Sequence, residues 1–181
     1  EAWKLNYETK KEILDVVGEY LYCYDDDSLT SRAVDLLKEQ NKTISAAESL
    51  TAGLFQSELA SIPGASAVLS GGVIAYNEEI KVSQLDIDAE LLKTHGVVSE
   101  ETAVAMAENV RRKFGTDFGI GLTGVAGPDA HGGQPAGTVW IGISSESGSD
   151  AYRLQLSGMR NTNRIRTVKL ALHYLIRTLS R

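Results

Sequence analysis

The fold is decided by the stretch TISAAESLTAG, residues 43–53. Its first half is a run of small and apolar residues that predicts a short strand, and its second half predicts a helix that continues through Leu54 and Phe55. Ser49 lies where the strand is expected to end and the helix to begin, a position where serine commonly caps a helix. The positive end of such a helix also suits an anion, or the oxyanion of an acyl-transfer intermediate. Capping is the commoner use, and both interpretations stay open.

The rest of the chain shows helical and strand patterns in turn. Helices are predicted over 8–20, 28–39, 78–85, 88–92, 99–114 and, in a long last helix, 165–179. Strands are predicted over 68–76, 117–122, 138–145 and 152–156, with a kink or bulge at Gly71-Gly72. Long helices flank short strands, and the last two strands are expected to form a hairpin. We therefore predict an α/β fold, a three-layer α/β/α sandwich with a mixed central sheet.

Composition narrows the class of protein. The chain has 181 residues and a net charge of -6, so direct nucleic-acid binding is not expected. No apolar run is long enough for a transmembrane helix, and no membrane partner is expected. A single cysteine, Cys23, excludes an intrachain disulfide and favours a reducing compartment, so we expect a cytoplasmic location.

The first 27 residues differ from the main pattern. An aromatic run at 21–24 predicts an edge strand, and Asp25-Asp26-Asp27 follows it. These carboxylates could hold a metal ion, but acids in front of a helix more often favour its positive end. The chain also lacks an initiating methionine. We therefore expect residues 1–27 to be a linker or appendage from a longer chain, and residues 28–181 to form the main domain.

The candidate catalytic residues indicate a serine nucleophile with a lysine as its base rather than a Ser/His/Asp triad. Ser49 needs a base to become a nucleophile, and no Ser/His/Asp order or nucleophile elbow surrounds it. A lysine can serve as the base when burial lowers its pKa. Tyr76 and Lys81, five residues apart, offer such a pair. The spacing of these two residues does not exclude the ordinary structural interpretation, in which Lys81 is exposed to solvent and Tyr76 is packed in the core.

Two further features could bind an anion. The loop 123–133 is rich in glycine and follows a predicted strand, so its N–H groups could cradle a phosphate, although it matches neither the P-loop nor the dinucleotide fingerprint. A long flexible surface turn is the alternative. Arg160, near the start of the last helix, could bind a phosphate or carboxylate, or could be a plain surface arginine.

Several ordered motifs together carry a family resemblance. They are AESLTAG at 47–53, GGVIAYN at 71–77 with Lys81, HGVVS at 95–99, TGVAGP at 123–128 and GTVW at 137–140. From about Ser28 to its end, the chain resembles the C-terminal domain of CinA, the competence/damage-inducible protein family related to the PncC-type nicotinamide-mononucleotide deamidases. Residues 1–27 resemble the linker that joins this domain to an upstream domain similar to molybdopterin-binding folds.

The resemblance implies an enzyme of NAD recycling that needs no metal and no cofactor. It would hydrolyse the amide of nicotinamide mononucleotide to nicotinate mononucleotide and ammonia. Ser49 would be the nucleophile, activated by Lys81 with Tyr76. The residues implied in substrate binding are Thr51, Thr123, Gly124, Ala126, Gly127 and, for the phosphate, Arg160. The family usually has glycine at the position of Ala52, and the extra methyl group is expected to crowd the pocket.

Two other functions stay open. One is a catalytically weak module that binds the nucleotide without turning it over. The other is a partner-binding module linked to DNA uptake or repair, as the family name suggests. The apolar faces of residues 8–24 and of the last helix could be self-association surfaces, so we expect a homodimer.

Overall fold

The computed structural model describes residues 2–18 and 28–180. The edge strand predicted at 21–24, the acidic run Asp25–Asp27 and Cys23 lie outside the described residues. No helix in the described ranges is long and apolar enough to cross a membrane.

Helices and strands alternate along the described chain. The helices are α1 Ala2–Val17, α2 Leu29–Glu39, α3 Leu54–Ala60, α4 Glu78–Leu85, α5 Ala89–His95, α6 Glu100–Phe114 and α7 Arg160–Leu179. The strands are β1 Ile44–Glu48, β2 Leu69–Ile74, β3 Phe118–Gly124, β4 Thr138–Ser145 and β5 Gly148–Gln155. Most predicted elements are present with small shifts at their ends. Three begin earlier than predicted: α1 begins at Ala2 rather than at residue 8, β5 at Gly148 rather than at residue 152, and α7 at Arg160 rather than at residue 165.

Polar side chains set the starts of four helices. Ser28, Asn77, Asp88 and Ser99 each accept a hydrogen bond from a backbone N–H in the first turn of the helix that follows. At its other end, α6 stops at Gly115, whose φ of 63° is a left-handed conformation that glycine adopts readily.

The five strands form one mixed sheet in the order β2-β1-β3-β4-β5. β1 pairs in parallel with β2 and β3, whereas β3, β4 and β5 pair antiparallel. The mixed sheet and the hairpin of the last two strands are therefore confirmed. The bulge predicted at Gly71-Gly72 is confirmed as well, because the register between β1 and β2 shifts by one residue just before Gly71.

Helices cover both faces of the sheet, which confirms the three layers. α2 and α7 pack over the larger apolar core on one face, and α6 crosses the other face. Glycines allow α6 to lie close to the strands. A Cβ atom on Gly121 would be 2.2 Å from the Ala103 carbonyl oxygen of α6, and one on Gly142 would be 2.3 Å from the same atom.

The prediction that the helix begins at Ser49 is wrong. Residues 49–53 form a turn, and α3 begins only at Leu54, after Gly53 with a φ of 90°. The reason is Glu48, whose carboxylate accepts hydrogen bonds from the N–H groups of Gly53, Phe55 and Gln56. Because the last residue of β1 already caps the helix, the Ser49 hydroxyl is left for other contacts.

Candidate active site

A cavity of about 660 Å³ opens at the carboxyl ends of the parallel strands. Ligand sites of α/β folds occur at this edge, because the loops that follow neighbouring parallel strands meet there. The predicted site residues that line the cavity are Ser49, Tyr76, Lys81, Thr123, Gly124, Ala126, Gly127 and Arg160. Segments far apart in sequence thus contribute to one site.

The centre of the cavity is a serine beside a buried lysine. The Nζ atom of Lys81 lies 3.4 Å from the Ser49 Oγ and donates a 2.8 Å hydrogen bond to the Ala75 carbonyl. Lys81 is 2% exposed, so it is not the solvated lysine that spacing alone left open, and Ser49 is 9% exposed. Serine and amine are close enough for a proton to pass after a small approach.

Burial changes the acidity of this lysine. It lowers the pKa of Lys81 from 10.5 to about 8, because the charged amine is removed from water, while the nearby negative charge of Glu78 partly opposes the effect. Within the described part of the chain, Lys81 forms no ion pair with a carboxylate. A substantial fraction of the amine is therefore neutral at mildly alkaline pH and can accept a proton.

Tyr76 lies at the mouth of the cavity. Its side chain is 56% exposed, so it is not a core tyrosine. Its hydroxyl accepts a 2.7 Å hydrogen bond from Arg160, whose other terminal nitrogen donates to the Gly127 carbonyl over 2.9 Å. The tyrosine hydroxyl thus contacts the candidate phosphate-binding arginine rather than the serine and lysine.

Hydrogen bonds hold the first residues of the glycine-rich loop that follows β3. The Thr123 hydroxyl donates to the Val97 carbonyl over 2.6 Å, and the Asn163 amide donates to the Ala126 carbonyl over 3.0 Å. Asn163 was not predicted, because this buried contact joins α7 to a distant loop. Asp129 and His131 also line the cavity from this loop. No cluster of three His, Cys, Asp or Glu side chains that could hold a metal ion occurs among the described residues.

The motifs and this geometry agree with comparisons to known proteins. The model of the CinA C-terminal domain family matches residues 26–179. The chain belongs to this family.

A CinA relative from Lysinibacillus sphaericus, provisionally named a competence-damage inducible protein, is 60% identical over 169 residues, which are 93% of this chain and 40% of the relative. One from Listeria welshimeri with the same name is 49% identical over 170 residues, which are 93% of this chain and 41% of that relative. The chain thus spans about two fifths of the curated relatives' length.

Solved structures of the CinA superfamily share the fold. One from Klebsiella pneumoniae superposes with a TM-score of 0.82 at 29% identity, covering 84% of this chain and 96% of its own. The competence/damage inducible protein CihA from Agrobacterium tumefaciens superposes with a TM-score of 0.81 at 30% identity. The superposition covers 89% of this chain and 99% of the CihA chain. The α/β fold is therefore that of the CinA superfamily.

Two residues of the CinA motif at 47–53 are placed differently from expectation. Thr51, implied in substrate binding, is not part of the cavity lining; its side chain is fully buried, and its hydroxyl has no hydrogen-bond partner among the described residues. Ala52 is exposed and also outside the lining, so the expected crowding of the pocket is wrong. Its effect is on the backbone instead, because its φ of 51° is left-handed and costs a non-glycine residue energy.

Proposed function

We propose that this CinA domain hydrolyses the amide of nicotinamide mononucleotide to nicotinate mononucleotide and ammonia. The observation that carries the proposal is the buried Lys81 amine 3.4 Å from the Ser49 hydroxyl, in a cavity large enough for a nucleotide. A serine beside a lysine with a lowered pKa is a combination suited to acyl transfer.

The first step forms an ester between enzyme and substrate. Neutral Lys81 takes the proton from the Ser49 hydroxyl while Oγ attacks the amide carbon, so the carbonyl oxygen becomes an oxyanion. The Leu50 N–H follows the nucleophile in the chain and forms no hydrogen bond to the described residues, so it is available as one oxyanion donor. Protonated Lys81 then gives its proton to the amide nitrogen, the carbon–nitrogen bond breaks, and ammonia leaves.

The second step restores the enzyme. A water molecule gives a proton to Lys81 and attacks the ester carbon. The bond to Ser49 Oγ breaks, and the oxygen recovers its proton from the lysine. The product acid loses its remaining proton to solvent, where the released ammonia takes it up as ammonium, and nicotinate mononucleotide leaves as the carboxylate. The proton balance requires one lysine that cycles between its neutral and charged forms, which a pKa of about 8 allows near neutral pH.

Substrate recognition would come from the rim of the cavity. The Arg160 guanidinium, exposed at the mouth, carries the positive charge that a nucleotide phosphate needs. Its hydrogen bonds to Tyr76 and Gly127 hold it in place before the substrate arrives. In this proposal, Tyr76 helps to place the phosphate ligand, and the Gly124–Gly127 segment lines the pocket beside it.

The test is ammonia release from nicotinamide mononucleotide by the parent, Ser49→Ala and Ser57→Ala. Ser57 is an exposed serine on α3, outside the cavity, and serves as the matched control. We expect ammonia and nicotinate mononucleotide in equal amounts from the parent and from Ser57→Ala, and none from Ser49→Ala. Equal release by Ser49→Ala would remove Ser49 as the nucleophile. A folded parent that is stabilised by the nucleotide but releases no ammonia would indicate a binding module instead.

A further inference from the structure

The turn that carries the nucleophile lacks regular secondary structure to support it. Residues 49–53 lie between β1 and α3, and within them Ala52 has a left-handed φ of 51°. A strained, irregular segment keeps one conformation only when surrounding groups hold it. The position of the Ser49 hydroxyl therefore depends on contacts from outside the turn.

Arg164 of α7 supplies such contacts from the far end of the chain. Its Nε donates a 3.0 Å hydrogen bond to the Leu50 carbonyl, and one terminal nitrogen donates a 2.8 Å hydrogen bond to the Thr51 carbonyl. The other terminal nitrogen donates to the Asn161 side chain over 3.2 Å, which orients the guanidinium along its own helix. One planar group thus holds two successive carbonyls directly after the nucleophile.

The N–H groups at the two ends of the turn are held from its other sides. The Ser49 N–H donates to the Leu122 carbonyl of β3 over 2.8 Å, and the buried Glu48 carboxylate accepts from the Gly53 N–H over 2.9 Å. Arg164 ties this turn to α7 through two hydrogen bonds. We propose that Arg164 is a positioning residue, whose guanidinium holds the Ser49 hydroxyl in its reactive position through the backbone of the turn.

This proposal rests on the proposed function, since it assigns Arg164 a role in the same reaction. Arg164 itself is not part of the cavity lining, so it acts through the turn and not on the substrate. A lysine at this position would keep the positive charge but not the fixed fork of donors that matches two carbonyls. The role therefore depends on the shape of the guanidinium as well as on its charge.

The experiment compares the parent with Arg164→Gln, Arg164→Lys and the control Arg166→Gln. Arg166 is an exposed arginine on the same helix, outside the cavity lining. We expect Arg164→Gln to lower kcat about 10- to 100-fold with KM within about twofold, because a nucleophile displaced by about 1 Å loses reactivity but not substrate contacts. Arg164→Lys should recover only part of the loss, and Arg166→Gln should match the parent.

Two readouts do not depend on the substrate. Amide hydrogen exchange of residues 49–55 should be faster in Arg164→Gln than in the parent, and labelling of Ser49 by a fluorophosphonate should be slower. Unchanged exchange, or unchanged labelling, in a folded Arg164→Gln would overturn the proposal. If Arg164→Gln does not fold, Arg164→Lys is judged by the same criteria. A parent that releases no ammonia would contradict the proposed function, while exchange and labelling would still decide the role of Arg164.

Discussion

Replacing Lys81 by methionine should change how the stability of the protein depends on pH. The substitution keeps an unbranched chain in the same buried position and removes the amine. In the parent, Lys81 is 2% exposed, and the pKa of its amine is lowered from 10.5 to about 8, chiefly by burial. The unfolded chain therefore binds this proton more tightly than the folded protein does. Stability must rise with pH wherever the unfolded state holds more protons.

The size of the effect follows from the two pKa values. A tenfold change in a protonation equilibrium corresponds to about 1.4 kcal/mol, so burying the charged amine costs the folded parent about 3 kcal/mol below pH 8. This cost disappears as the pH rises towards 10.5. Between pH 7 and pH 10 the parent should recover about 2.5 kcal/mol of unfolding free energy from this group, and Lys81→Met should not.

Urea denaturation of both proteins at pH 7 and pH 10 measures this difference. The methionine also leaves the Ala75 carbonyl without its donor, which affects both pH values alike, so the change with pH isolates the charge. Lys113→Met, at an exposed position on α6, is the control for losing a lysine. If the parent and Lys81→Met show the same pH dependence, the amine is not neutral in the folded protein at alkaline pH, and the proposed base is lost.

Three further predictions follow from the same region. The value of kcat/KM should rise with pH with a midpoint near 8, because Lys81 must lose its proton before it can accept one from serine; a flat profile between pH 6.5 and 9 would contradict this. Ala52→Gly should raise the unfolding free energy by about 1 kcal/mol in chemical denaturation, since it relieves a left-handed residue, and activity should not change. Thr51→Val should keep KM and raise stability by up to about 1 kcal/mol, because the buried hydroxyl has no partner among the described residues; a raised KM would return Thr51 to the substrate site.

Most of the fold from residue 28 onward is predictable from local pattern. Apolar spacing defines α2 and α6, capping residues such as Ser28 and Ser99 define where they start, and strand alternation defines the final hairpin. The local sequence pattern does not determine the order of the strands in the sheet or the distance between the sheet and the helices that cover it. The close approach of α6 depends on Gly121 and Gly142, which only become neighbours once β3 and β4 pair.

The site is predictable to a similar extent. The ordered motifs identify residues that do line one cavity, including Ser49 and Lys81, although these are 32 positions apart. They assign no role to Glu48, although it lies within the motif at 47–53, and they do not include Arg164; both residues act on the turn rather than on the cavity. Glu48 could have been noticed as an acid in front of a helix, where a positive end favours it. The contact of Arg164 with Leu50, across 114 positions, leaves no local signal.

The distance between serine and lysine is set by the pairing of β1 with β2. The Ala75 N–H donates to the Glu48 carbonyl, which places Ala75 close to Ser49, and the Ala75 carbonyl in turn accepts a hydrogen bond from the Lys81 amine. This pairing depends on the bulge, because Ile44 pairs with Leu69 whereas Ser45 already pairs with Gly71. Without the extra residue, Glu48 would lie opposite residue 73 instead of 74. The Ala75 carbonyl, which binds the Lys81 amine, would then be displaced by one position along the strand. Gly71, at a φ of 133°, permits the bulge, so a glycine outside the cavity lining helps to determine whether the Lys81 amine and the Ser49 hydroxyl lie side by side.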